Sequence, residues 1–125
     1  MFSRRGKFFQ PGRSERIGGW SRSVVPCVWP LEVTNILIAA ERRGRITTEL
    51  AEEFLFNLRE LSVTVDPADI VLTFENIRQL AREHKLTAYD AAYLELAMRK
   101  EIPLVTLDAD LKKAAISSAV EIFQP

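Results

Sequence analysis

Two neighbouring stretches decide the fold: Leu86-Thr87-Ala88-Tyr89-Asp90-Ala91-Ala92-Tyr93-Leu94-Glu95-Leu96-Ala97 and, shortly after, Pro103-Leu104-Val105-Thr106-Leu107-Asp108-Ala109-Asp110-Leu111. The first reads as a helix from Thr87 to Arg99. Thr87 and Asp90 match a capping box with Asp in place of Glu, and Glu95 and Arg99 form an i,i+4 pair suited to a solvated face. Residues Pro103 to Leu107 read as a fully buried strand, followed by a short helix from Asp108 to about Ile116. Helix, buried strand and helix in succession are the texture of a parallel sheet covered on both faces.

The rest of the chain extends the pattern in both directions. Val24-Val25-Pro26-Cys27-Val28 is a short apolar run, read as a strand whose pairing Pro26 limits. Pro30 suits the first position of a helix from Leu31 to about Arg43, apolar almost all round and so expected to be buried; Gly44 stops it. Thr47 or Thr48 caps a second helix with Leu50, Phe54, Leu58 and Leu61 as its inner stripe. Val63 and Val65 alternate in a brief strand before Asp66-Pro67. A third helix carries Ile70, Phe74, Ile77 and Ala81 on one face, and Val120 to Phe123 reads as a last strand.

The chain has 125 residues, enough for one compact domain. Its single cysteine, Cys27, excludes an internal disulfide framework and a cysteine-rich zinc site; it suits a reducing cytoplasm and reads as a small buried hydrophobe. The formal net charge is zero but unevenly spread: residues 1–22 hold six basic residues against Glu15 alone, and the remainder eleven against sixteen acidic ones. With four of the five glycines and no helical or strand period, residues 1–22 read as a basic, disordered or loosely attached segment, and residues 23–125 as the domain. No apolar stretch is long enough to span a bilayer, and no apolar run follows the basic start as a signal peptide requires.

Three acids stand out at element ends. Glu32 lies in the first turn of an apolar helix, with Asn35 three residues on; it serves either as a favourable charge at the helix N-terminus or as a ligand. Asp90 is crowded by alanines and leucines, and is either part of the cap or a carboxylate aimed at another segment. Asp108 directly follows the buried strand, where open parallel sheets bind ligands, and equally suits a helix cap. Asp110 ranks as an outer acid. Thr106 is either an orienting hydroxyl or an ordinary strand residue. Clustered carboxylates repel one another without a cation, and oxygen-rich sites of this kind favour Mg²⁺ or Mn²⁺.

Over residues 24–35, 86–97 and 103–111 the chain resembles the PIN domain, and within that family the toxin nuclease of VapC-type toxin–antitoxin pairs. The resemblance implies an α/β, three-layer fold with a central parallel sheet and helices on both faces. It implies a Mg²⁺- or Mn²⁺-dependent endoribonuclease, a hydrolase of RNA phosphodiesters, cytoplasmic, homodimeric and inhibited by a cognate antitoxin protein. It maps the family's second, third and fourth acids onto Glu32, Asp90 and Asp108, with Asn35, Thr106 and Asp110 as auxiliaries. The family's first acid follows a hydrophobic first strand. Here no Asp precedes Asp66, so that strand is expected to be missing or replaced. The alternative is a catalytically inactive PIN remnant acting only in dimerisation or antitoxin binding, and a third reading is an RNA-binding protein working through its basic arm.

Overall fold

The computed structural model describes residues 8–9, 16–17, 20–21 and 23–123, with side chains from residue 23 onward. It is a mixed α/β structure. Strands β1 (Phe8–Phe9), β2 (Arg16–Ile17) and β3 (Trp20–Ser21) precede β4 (Ser23–Pro26), helices α1 (Trp29–Arg42) and α2 (Thr48–Arg59), and β5 (Val63–Asp66). A π-helical segment over Leu72–Ile77 runs into α3 (Arg78–His84), followed by α4 (Ala88–Lys100), β6 (Leu104–Val105) and α5 (Ala109–Ser117). No described helix is long and apolar enough to cross a membrane.

The local signals explain most boundaries. Thr47 accepts a hydrogen bond from the Leu50 amide and starts α2, and Thr87 does the same for Asp90 at the start of α4. Gly44, at φ +67°, takes the left-handed turn after α1 that an L side chain resists. Asp69 accepts from the Leu72 amide at 2.7 Å and opens the third helical stretch, whose first turns are wide rather than α-helical.

Strand pairing departs from an all-parallel sheet. β4 and β5 pair in parallel, Val25 opposite Val65, and Leu104 makes a parallel bridge to Ile122. β1 pairs antiparallel to β6, Phe9 opposite Leu104, and also lies against β4. The place expected for the missing first strand is therefore occupied by Phe8–Phe9, running the other way. A strand arriving from the chain's start rather than through a helical crossover is not bound by the rule that makes crossover-linked strands parallel. β2 and β3 form a separate antiparallel pair.

Two expected strands shrink. The buried strand is ordered as β over two residues, because the Thr106 hydroxyl takes the Asp108 amide and turns the chain, leaving Leu107 exposed. Of the last strand only the bridge at Ile122 remains, fixed by the Leu104 amide donating to the Glu121 carbonyl at 2.9 Å and the Phe123 amide to the Leu104 carbonyl at 3.0 Å.

α4 is the axis of the core. Ala91 is buried, and Tyr93, Leu94, Leu96 and Ala97 are buried in one core cluster with Val24, Val25, Trp29, Val33, Leu104, Leu111 and Ala115. Other faces are open. Leu31 and Ile38 on α1, Leu50 and Phe54 on α2, Leu61 just past its end, and Ile70 and Phe74 before α3 are exposed; Leu58 and Ala81 are half-buried and Ile77 is buried. The expected burial of these helix faces is therefore incomplete, because periodicity marks an apolar stripe without supplying a layer to cover it. Cys27, expected inside, is exposed, since it lies past the end of β4 in the turn before α1.

Candidate metal centre

Two helix N-termini deliver the first acids. Pro30 opens α1 without an amide to satisfy, placing Glu32 in the first turn, where the Glu32 amide donates to the Val28 carbonyl at 3.0 Å. At α4 the Thr87 hydroxyl accepts from the Asp90 amide at 3.1 Å. Asp90 is 2% exposed, and Glu32 is half-buried. Each carboxylate gains from the positive end of its own helix, which offsets part of the cost of removing charge from water.

Tyr93 joins them. One turn beyond Asp90 and fully buried, it donates from its hydroxyl to Glu32 Oε1 at 2.5 Å. Burial first, then that hydrogen bond and the negative charges of Glu32 and Asp90, hold the phenol well above the ordinary tyrosine range, so it stays a neutral donor. Residues separated by 61 positions are thereby locked side by side. The sequence offered a signal in the i,i+3 spacing of Asp90 and Tyr93, which places both on one helix face.

Asp108 behaves as a cap. Its Oδ2 accepts from the Leu111 amide at 2.9 Å, and its own amide donates to the Thr106 hydroxyl at 3.0 Å. Thr106 is buried and so holds Asp108 in place. Asn35 and Asp110 are exposed on their helices. Among the described residues no group of three or more His, Cys, Asp or Glu side chains is close enough to hold a metal ion. The structure thus ties Glu32 to the Tyr93 hydroxyl, one turn beyond Asp90 on α4, and among the described residues forms no three-acid set with Asp108.

A second ionic cluster was legible only in part: the Glu95–Arg99 pair follows from its spacing, and Asp66 joins it from β5. Arg99 donates to Glu95 through Nε at 2.9 Å and Nη2 at 3.1 Å, and its Nη2 meets Asp66 Oδ2 at 2.5 Å, at the end of β5. Glu95 is buried while Arg99 reaches solvent, so the pair meets water only through its guanidinium end. The hydrogen bonds to Glu95 and Asp66 raise the Arg99 pKa, against the opposing effect of burial. The cluster walls a cavity of about 190 Å³ lined also by Val28, Leu72, Ile77, Tyr89 and Leu96.

The donor chemistry of Glu32 and Asp90 fits Mg²⁺ or Mn²⁺, which take hard oxygen ligands and commonly use one or two carboxylates, completing their shell with water and substrate phosphate. The PIN domain family profile matches residues 13–117, a span that takes in Glu32, Asp90 and Asp108 and starts inside the basic segment. The chain belongs to the PIN domain family. PIN domains are in general divalent-metal-dependent nucleases acting on nucleic acid. No curated protein matches this PIN domain closely enough to count as a relative.

Proposed function

We propose that this PIN domain is an endoribonuclease of the VapC toxin type that hydrolyses RNA phosphodiesters with Mg²⁺ or Mn²⁺ held by Glu32 and Asp90. The observation that carries the reading is the Tyr93 hydroxyl, one turn beyond the buried Asp90 on α4, hydrogen-bonded to Glu32 in the first turn of α1, with the charges of both acids acting on the phenol. Asp108 contributes from the end of β6 once substrate supplies further ligands, with Thr106 fixing its backbone and Asn35 and Asp110 in the outer shell. A divalent cation bound there supplies the charge that activates a water and stabilises the leaving oxygen. Glu32 and Asp90 would do the holding, with the Tyr93 hydroxyl steadying Glu32. The three-layer arrangement of the family, a cytoplasmic location, a homodimer and a cognate antitoxin belong to the same proposal. The exposed Leu50, Phe54, Phe56, Ile70 and Phe74 support a chain that works against a partner.

The test is cleavage of a structured RNA. Activity that needs Mg²⁺, is abolished by chelator and falls to background in Asp90→Asn and Glu32→Gln supports the enzyme. Cleavage that survives both substitutions overturns it.

A second reading has its own support. Asp108 is engaged as a helix cap, and no three-acid group forms among the described residues, as expected of a catalytically inactive remnant that keeps only dimerisation or antitoxin binding. Antitoxin capture without any RNA cleavage selects that reading.

A further inference from the structure

We infer that Tyr93 is a positioning residue for the metal-binding carboxylates, its hydroxyl anchoring Glu32 against α4, the helix that carries Asp90 one turn earlier. The inference rests on the metal reading given above and extends it to a residue that touches neither metal nor substrate. Tyr93 is fully buried in α4 between Leu94 and core neighbours of the sheet, so its ring direction is set by packing. Its only soft degree of freedom is the hydroxyl, which donates to Glu32 Oε1. Glu32 is a long, half-buried side chain that loses rotamer freedom on being fixed. A rigid donor removes that freedom before any cation arrives, which is how groups behind a metal ligand raise affinity.

A carboxylate has about four acceptor positions, so one given to Tyr93 leaves capacity for a cation. Phenylalanine fills nearly the same space and removes only the donor, which makes Tyr93→Phe the informative change.

The experiment measures Mn²⁺ affinity by calorimetry on the full chain, without RNA, for the native protein, Tyr93→Phe, Glu32→Gln and the double variant. Tyr93→Phe is expected to bind Mn²⁺ about tenfold more weakly, and to add no further weakening once Glu32 is Gln. Equal affinity in Tyr93→Phe and the native protein overturns the inference and leaves the metal reading intact. So does an equal loss in both backgrounds, since Tyr93 would then not act through Glu32. A native protein that binds no Mn²⁺ overturns both readings at once. A measurement on the unmutated chain covers the case in which Tyr93→Phe fails to fold. Mn²⁺ should shift the near-ultraviolet tyrosine band as Glu32 charge is drawn from the phenol, and the shift should vanish in Glu32→Gln. No shift during demonstrated binding overturns the inference.

Discussion

Arg99→Met isolates the contribution of the buried ion cluster. The substitution keeps most of the aliphatic stem and removes the guanidinium that serves Glu95 and Asp66. Those two side chains are 7% and 13% exposed, so each keeps a charge with little water to replace Arg99. Breaking a buried pair from one side costs about 3–5 kcal/mol. The Arg99 side chain is itself 34% exposed, so solvent reaches the site and the loss is discounted to about 2–3 kcal/mol. For a domain of this size that is a fall in Tm of about 10 °C. Thermal unfolding by circular dichroism reads it directly. A partner variant, Glu95→Gln with Arg99→Met, should recover part of the loss, because one of the two stranded charges is gone. An Arg99→Met protein within about 0.5 kcal/mol of the native one would behave as a surface substitution, and would refute the view that this cluster clamps β5 to α4.

Asp108→Ser should keep stability near native because Ser also caps helices, whereas Asp108→Ala should cost about 1 kcal/mol in chemical denaturation; loss of Mn²⁺ binding in the Ser variant would instead reveal a ligand. Glu101, at φ +54°, ends α4 in a left-handed turn, and Glu101→Gly should raise stability by about 1 kcal/mol in the same assay. The folded pKa of Tyr93 lies above its unfolded value of about 10. Its contribution is therefore complete below that pH and is lost as pH rises beyond it. Urea unfolding from pH 8 to 11 should show stability declining at the alkaline end, with a shallower decline in Tyr93→Phe.

The parts of this fold legible in the sequence are those written locally. The Thr87 and Thr47 caps, the Gly44 stop and the buried Leu104-Val105 pair each depend on a few adjacent residues, and each stands where its pattern placed it. Long-range facts were not written that way. The i,i+4 spacing of Glu95 and Arg99 is the same whether the pair faces water or Asp66, and only the position of β5 decides between them. The apolar faces holding Leu50 and Ile70 announce amphipathic helices but not what covers them. Of the candidate site, the caps at Asp90 and Asp108 were written locally, while the hydrogen bond from Tyr93 to Glu32 spans 61 positions and no local pattern encodes it.

Because α4 carries Asp90 at one end, Arg99 at the other and the centre of the core between them, the backbone under Asp90 belongs to the part of the molecule that opens last. Amides from Ala91 to Ala97 should trade their hydrogens with solvent only when the whole molecule opens. The aim of the Asp90 carboxylate then lasts as long as the native state itself.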